Sequence, residues 1–282
     1  MRWFERVLGW ALVMTPNRKL AATSELVLKL GLVNERQRRA HARAHAVFIA
    51  GYYLRFFALA RARQRRAAVA EVEVRGAEHV RPLVNAGIGV VLVSVHLGDF
   101  DLGGAWLHDT HGVTPVVVDQ PLTPRWRDQL FLEVRRRCGV VVRRALRTDM
   151  PTLEADIRAG RWVLAMVDRR SPGPTQLGLF LGRPVALSIG IAVLAARTRA
   201  PIIPATTWRT DSGRAVVWFG RPVTALTTQE AVHALQLSLL ELEAHVRARP
   251  AQWHVPRDGT QLALDSVASR VDTKTSAVRA AA

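Results

Sequence analysis

The sequence predicts one α/β domain with a mostly parallel sheet flanked by helices, preceded by a helical N-terminal region. From Glu71 onward, short runs rich in β-branched residues alternate with stretches of helical periodicity, the pattern of a parallel sheet built from β–α units. Residues 1–70 carry helical periodicity instead. The chain has 282 residues, 49% of them hydrophobic, which is enough to bury a core around such a sheet.

Each element is predicted from its own local pattern. Seven apolar runs predict strands at Glu71–Arg75, Gly89–Val95, Thr114–Val118, Val140–Arg143, Trp162–Val167, Ile202–Thr207 and Ala215–Phe219. Between them, helical patterns occupy Asp99–His108, Pro124–Cys138, Asp149–Ala159 and Leu187–Arg197, and a last helix spans Thr228–Arg249. We therefore expect a helical membrane-surface region at 1–70, interrupted at Pro16–Asn17 and Gly51, an α/β domain at 71–257, and a polar, Ala-rich, disordered tail at 258–282.

The N-terminal segment favours a helix lying in a membrane interface. Its uncharged run, Val7–Pro16, is half as long as the roughly 20 residues that span a bilayer. It resembles a signal peptide, but Pro16–Lys19 stand where small residues would allow cleavage. The alternative is a helix that caps the core. Residues that share one helical stripe are Phe4, Val7, Leu8, Ala11 and Leu12.

The charge of the chain is strongly positive, +17, with 40 Lys and Arg against 23 Asp and Glu. Such chains attract phosphate groups of anionic lipids or nucleic acids. The segment Arg36–Arg66 holds nine arginines and no acidic residue, and aromatic pairs lie at i,i+4 spacing in Tyr52/Phe56 and Tyr53/Phe57. This combination favours a helix on an anionic membrane surface, with an ordinary packing helix and nucleic-acid binding as alternatives.

The single cysteine, Cys138, excludes an internal disulfide and is typical of a buried apolar residue rather than a nucleophile. The chain has no P-loop and no GxGxxG motif, so the sequence indicates no nucleotide cofactor.

A candidate active site lies in the segment Val90–Trp106, VVLVSVHLGDFDLGGAW. A buried-strand run ends at His96, and Asp101 follows five residues later where a helical pattern begins. Open α/β sheets bind ligands at the carboxyl ends of their strands. A histidine paired with an acid can act as a general base, because the acid fixes the tautomer and stabilises the charged ring.

Three alternatives remain for this motif. A histidine in a β–α turn can be purely structural. Asp99, three residues from His96, is close enough in sequence to replace Asp101 as the partner. A metal site would need ligands at a recognisable spacing, which the segment lacks, so we expect no metal. The residues that would form such a site are His96, Asp99, His108 and His111.

The segment HLGDFDLGGAW resembles the H-x4-D/E block of the bacterial lipid A biosynthesis acyltransferase family. Asp99 stands where that family usually has Asn, and Asp101 where it usually has Glu. Three further blocks resemble the family in the same order: VRRRCG at Val134–Gly139, the segment Val163–Pro204, and PAQWH at Pro250–His254. The family includes lauroyl and myristoyl transferases and actinobacterial mannoside acyltransferases, and the resemblance covers about residues 20–256.

The resemblance implies transfer of an acyl group from a thioester of acyl carrier protein or coenzyme A to a hydroxyl of a lipid acceptor, without a cofactor. The acceptor would be a lipid A precursor or a membrane glycolipid. His96 would remove the hydroxyl proton, Asp101 would orient the ring, and backbone N–H groups near Gly98 would stabilise the oxyanion. Asp168 would shape the adjoining loop. Candidate substrate-binding residues are Gly98, Arg135, Arg137, Asp168, Arg169, Arg170 and Arg183.

Two other classes of function remain open. An esterase or thioesterase would use the same histidine–acid pair with water as the acceptor. A non-catalytic basic protein of membrane surfaces or RNA would not need the pair at all. For the acyltransferase we expect a peripheral or monotopic protein on the cytoplasmic face of the inner (plasma) membrane, with an anionic lipid surface and no nucleic acid as partner.

Overall fold

The computed structural model describes residues 18–145, 147–169 and 173–254, with side chains from residue 21 onward. The N-terminal apolar stripe, Arg170 and the tail at 258–282 lie outside the described residues. In the part of the chain that is described, no helix is both long enough and apolar enough to cross a bilayer.

A seven-stranded sheet forms the centre of the molecule, in the order β1-β9-β8-β2-β5-β3-β4. Its neighbours pair in parallel except for β8 and β9, which are antiparallel. The predicted α/β fold with a mostly parallel sheet is confirmed. The strands are β1 (Glu73–Arg75), β2 (Val90–Ser94), β3 (Pro115–Asp119), β4 (Val141–Arg144), β5 (Trp162–Met166), β8 (Ile202–Arg209) and β9 (Ala215–Phe219).

Helices cover both faces of this sheet. Three precede it: α1 (Arg18–Lys29), α2 (Glu35–Ala58) and α3 (Ala62–Ala70). The others are α4 (Ala77–Asn85), α5 (Phe100–His111), α6 (Arg125–Arg137), α7 (Met150–Arg158), α8 (Gly190–Thr198) and α9 (Thr228–Ala248), followed by a 3₁₀ turn at Pro250–Gln252.

The two faces of β2 enter different parts of the core. Val91 and Val93 pack in the cluster that contains α8 and α9, whereas Leu92 packs in the cluster that contains α5. Every residue of β2 is buried. A strand covered by helices on both sides needs apolar residues at successive positions, which explains the uninterrupted run that the sequence shows.

A two-stranded antiparallel hairpin, which the sequence did not predict, follows the loop after β5. Its strands are β6 (Thr175–Phe180) and β7 (Arg183–Ser188), so the predicted helix from Leu187 begins only at Gly190. The two-residue turn has positive φ at both Leu181 and Gly182. Leucine rarely adopts this conformation, but Leu181 is buried and its N–H donates to Glu243. The burial of Leu181 and its hydrogen bond therefore stabilise a turn whose sequence lacks the residues usual at such positions.

Gly51 does not interrupt α2, which is continuous from Glu35 to Ala58. Tyr52 and Phe56 are buried in a cluster with residues of α5 and α6. For these two aromatic residues, the alternative of an internal packing helix is therefore the correct one. A glycine inside a helix costs up to about 1 kcal/mol relative to alanine, and here packing outweighs that cost.

Candidate active site

His96 lies two residues beyond β2 and lines a cavity of about 990 Å³ at the carboxyl edge of the sheet. Leu92 and Ser94 precede it on the same face of the strand, because side chains alternate along a strand. Both residues also line the cavity. The strand thus places the imidazole of His96 at the end of the cavity wall that Leu92 and Ser94 begin.

Asp168, and not Asp101, is the acid that holds His96. Its Oδ1 lies 2.7 Å from Nδ1 of the ring, and its Oδ2 accepts the backbone N–H of His96 at 3.0 Å. Trp253 donates its indole N–H to the same Oδ2 at 2.8 Å. The carboxylate is completely buried. An ionised acid can only accept, so Nδ1 carries the proton and Nε2 keeps its lone pair.

Asp101, the predicted orienting residue, has different partners. Tyr52 donates its hydroxyl to Asp101 at 2.6 Å, and Arg135 donates Nε at 2.9 Å. Arg135 also binds Asp119 at 2.5 Å. The predicted pairing of Asp101 with His96 is therefore wrong, because the first turn of α5 directs Asp101 toward α2 and α6. Its carboxylate fixes the wall of the cavity.

Asp99, the alternative partner, is also engaged elsewhere. Arg55 binds it through two nitrogens, Nε at 2.9 Å and Nη2 at 3.0 Å. Arg209 donates Nε to it at 2.6 Å. These ion pairs are largely buried and connect α2, the start of α5 and the end of β8. Asp99 therefore holds α2, α5 and β8 together through its ion pairs.

Gly98 is required for close packing and does not line the cavity. Its φ is +65°, and a Cβ there would lie 2.3 Å from the carbonyl oxygen of Thr207. Its N–H donates to the carbonyl of Gln252 at 3.0 Å. The oxyanion role was predicted for backbone N–H groups near Gly98, and the N–H of Gly98 itself is not available for it because that donor is already used.

The segment after α9 contacts the loops that carry His96 and Asp168. The sequence showed only that PAQWH resembles a family block, and it did not predict this role. Trp253 binds Asp168, and the N–H of His254 donates to the carbonyl of His96 at 2.7 Å. The ring of His254 donates to the carbonyl of Gly98 at 2.9 Å. Arg169 in turn donates to the His254 carbonyl at 2.7 Å. The loops that carry His96 and Asp168 are thereby locked together.

The cavity lies between the sheet and α5, with apolar residues on most of its wall. Two glycines of α5, Gly103 and Gly104, make room for it. A Cβ at Gly103 would lie 3.2 Å from Thr207, and one at Gly104 would lie 3.3 Å from Val140. Residues contributed by the strands include Leu92, Val117, Leu164, Met166, Ala205, Val217 and Phe219; those contributed by α2 and α5 include Ile49, Tyr53, Phe57, Phe100 and Leu107.

The electrostatics keep His96 neutral and Asp168 charged. Burial lowers the pKa of His96, and the nearby Arg169 lowers it further, while Asp168 opposes both. Burial acts to raise the pKa of Asp168, but its interactions with His96, Arg169 and Trp253 hold that pKa well below the usual range. A neutral imidazole beside a buried carboxylate can take up a proton, because the carboxylate stabilises the resulting positive charge.

The predicted substrate-binding residues divide into two groups. Arg135 and Arg169 line the cavity, and Asp168 is part of the central pair. Arg137 instead binds Glu133 on the surface of α6, and Arg183 donates to the carbonyl of Lys29. Neither of them lines the cavity, because α6 and the hairpin direct them elsewhere.

The residues considered for a metal site do not converge. Asp99 is held by arginines, and the ring of His111 packs edge-on against Trp106 with centroids 4.8 Å apart. Among residues 18–145, 147–169 and 173–254, no three His, Cys, Asp or Glu side chains are placed to hold a metal ion. Cys138 is buried, and burial raises the pKa of its thiol to about 11, as suits a packing residue.

Comparison with known proteins matches the chain to a sequence family. A family profile described as "Bacterial lipid A biosynthesis acyltransferase" matches residues 2–255. A protein named phosphatidylinositol mannoside acyltransferase from Mycobacterium tuberculosis is 28% identical over 188 residues, 64% of this chain and 58% of that protein. The protein of the same name from Mycolicibacterium smegmatis is 27% identical over 193 residues, 66% of this chain and 61% of that protein. The matched part of the chain thus spans about three fifths of each relative.

Proposed function

This chain belongs to the bacterial lipid A biosynthesis acyltransferase family, and we propose that it transfers a fatty acyl group from an acyl thioester to a hydroxyl of a membrane glycolipid. One observation carries the proposal. The neutral His96, oriented by the buried Asp168, lines a large and mostly apolar cavity. A general base beside an apolar chamber suits a reaction that joins a polar nucleophile to a fatty chain.

The proposed reaction proceeds in two steps. The acceptor hydroxyl gives its proton to Nε2 of His96 while its oxygen attacks the thioester carbonyl, forming a C–O bond and a tetrahedral oxyanion. Collapse of that intermediate breaks the C–S bond, and the leaving thiolate takes the proton from Nε2. Asp168 stabilises the imidazolium between the steps, and general-base help of this kind contributes typically about 10²–10⁴-fold.

The cavity wall supports the assignment of the fatty chain. Leu92, Leu164 and Leu107 supply apolar surface between the sheet and α5. Arg127, Arg135 and Arg169 are arginines that line this cavity. We assign Arg169 to the anionic groups that gather near His96 during the reaction. The donor is a thioester of acyl carrier protein or coenzyme A, both of which are anionic and suit a chain of charge +17.

The acceptor is proposed to be a glycolipid because the two named relatives are phosphatidylinositol mannoside acyltransferases. Such an acceptor and a soluble donor meet at the cytoplasmic face of the inner membrane. We therefore propose that the protein acts there as a peripheral protein on an anionic lipid surface.

The decisive experiment is lipid mass spectrometry on cells with the wild-type chain, without it, and with His96→Ala. We expect one glycolipid to lose an acyl chain in both altered strains. Purified protein with an acyl thioester and a glycolipid fraction should give acylated lipid and free thiol. Release of free fatty acid without an acylated lipid would instead show a hydrolase, and an unchanged product with His96→Ala would refute the role of the base.

A further inference from the structure

An exposed apolar face borders the cavity at the start of α6. We name it the rim face and define it as Pro121, Leu122, Trp126 and Leu130. All four residues line the cavity. Trp126 is 66% exposed and Leu130 is 43% exposed. They lie four residues apart and so share one side of the helix.

We propose that the rim face is the surface through which the protein docks on a lipid bilayer, so that the cavity opens into the membrane interface. This inference rests on the proposed function in one respect, that the acceptor is a membrane lipid. The indole ring is the side chain that best suits the boundary between headgroups and acyl chains. A leucine one turn away adds apolar area on the same side.

The rim face is held rigid before any membrane is present. Asp128 accepts the backbone N–H of Leu122 at 2.9 Å, and its other oxygen binds Arg144 at 2.5 Å. Farther along α6, Phe131 and Val134 are buried in the cluster shared with α2 and α5. A preorganised apolar surface loses little conformational entropy when it inserts.

The charges beside the rim face suit anionic lipid headgroups. Arg125 is exposed at the first position of α6. Arg127 donates to the hydroxyl of Tyr53 at 3.3 Å and lies over the ring of Phe131. The carboxylate of Asp128 is compensated by Arg144, so positive charge prevails here. An acidic carrier protein would be attracted by these arginines, but it would gain little from an exposed indole and leucine, and for that reason we favour the bilayer.

The test measures partition of the purified full-length protein into vesicles of equal parts phosphatidylcholine and phosphatidylglycerol, without substrate. Trp126→Ser should lower the partition coefficient about tenfold, and Leu130→Gln about threefold, because each loses apolar area at the interface. The matched control is Leu240→Gln. Leu240 is 45% exposed but lies on α9, which packs against the opposite face of the sheet. That variant should partition like the wild type.

Salt separates the two contributions. The loss caused by Arg125→Gln should disappear at high ionic strength, whereas the loss caused by Trp126→Ser should persist. Trp126→Phe should restore most of the binding, which an unfolded variant could not do. Equal losses for Leu130→Gln and Leu240→Gln, or wild-type partition of Trp126→Ser, would overturn the proposal. The proposal would also be overturned if the rim variants partitioned normally but showed a raised KM for a carrier-protein donor, because that result would mark the rim face as the docking site of the donor.

The same assay distinguishes this inference from the proposed function. His96→Ala should partition like the wild type while transferring no acyl group. If rim variants lose vesicle binding but no acylated lipid is ever found, the docking surface stands and the proposed reaction fails.

Discussion

The proton on His96 is placed by a carboxylate far away in the sequence. Asp168 accepts from both Nδ1 and the backbone N–H of His96, and it is itself held by the indole of Trp253. The ring therefore has one orientation and one tautomer. Because burial and Arg169 lower its pKa, the ring is neutral near pH 7, as the proposed role of a general base requires.

We predict that Asp168→Asn lowers kcat about 10²- to 10⁴-fold, because the amide cannot stabilise the imidazolium and permits the wrong tautomer. Asp101→Asn should cost far less, since Asp101 contacts Tyr52 and Arg135 instead of the ring. Steady-state kinetics with an acyl thioester measures both. Adding His96→Ala to Asp168→Asn should cause little further loss beyond His96→Ala alone. A severe defect in Asp101→Asn with a mild one in Asp168→Asn would reverse this assignment.

The pH profile of kcat/KM follows from the same contacts. Activity requires neutral His96, so it should fall only at acidic pH, below the ordinary imidazole value of 6.5. Arg169→Gln removes a nearby positive charge and should move this acid limb to higher pH. The surface variant Arg137→Gln is the control and should leave the limb in place. An acid limb that stays unchanged in Arg169→Gln would show that Arg169 does not act on the ring.

Asp99 gives a prediction about stability rather than rate. Its buried carboxylate binds both Arg55 and Arg209, so Asp99→Asn removes the negative charge that these two ion pairs share. We expect a loss of about 1–3 kcal/mol in the free energy of unfolding. Glu133→Gln, which disrupts exposed pairs, should cost much less. Urea unfolding compares the two, and equal losses would contradict this role of Asp99.

At the scale of elements, α5 combines two tasks. Its first turn anchors α2 and α6 through Asp101, and its middle turn leaves space for the cavity at Gly103 and Gly104. Two adjacent glycines weaken a helix by up to about 1 kcal/mol each relative to alanine. The packing of α5 against its neighbours offsets this cost. Bulkier side chains at Gly103 and Gly104 would fill the cavity.

Gly103→Val should therefore shift acyl-chain selectivity toward shorter chains, because the added side chain projects toward Thr207, where even a Cβ would lie 3.2 Å away. Rates measured with a series of acyl thioesters test this. Gly190→Ala is the control, since a Cβ there meets nothing within 4 Å. It should leave the selectivity unchanged. Identical chain-length profiles for Gly103→Val and the wild type would place the fatty chain elsewhere.

At the scale of the whole molecule, buried imidazoles make stability depend on pH. Burial lowers the pKa of His45 and His245 to about 4, and that of His254 to about 3. In the unfolded chain these rings take up protons near pH 6.5. Stability is therefore full above pH 6.5 and declines as the pH falls toward 4 and 3, by at most about 1.4 kcal/mol per pH unit for each ring.

Thermal unfolding across this range measures the slope. His245→Gln removes one titrating ring and should flatten the acidic decline, whatever its effect on stability at pH 7. His233→Gln, at an exposed position of α9, should keep the wild-type slope. Equal slopes in both variants would show that the buried ring of His245 does not contribute.

The sequence by itself determined the fold class and placed His96 at the end of a buried strand. Strand and helix periodicity are local properties, so β2, β5, α6 and their neighbours were predicted within a few residues of their observed bounds. The apolar run that ends at His96 indicated a buried strand and a functional strand end. The resemblance of four ordered blocks indicated the family, which the match over residues 2–255 confirms.

Only the tertiary structure decided which acid serves His96. Asp101 lies only five residues from His96 in the sequence motif, whereas Asp168 is 72 residues away. Asp168 nevertheless reaches the ring because β2 and β5 are adjacent parallel strands whose carboxyl ends lie side by side. The hairpin turn at Leu181 and the cavity beside Gly103 also depend on partners distant in the chain. Hydrogen bonds and packing act through space, whereas a sequence pattern reports only neighbours along the chain.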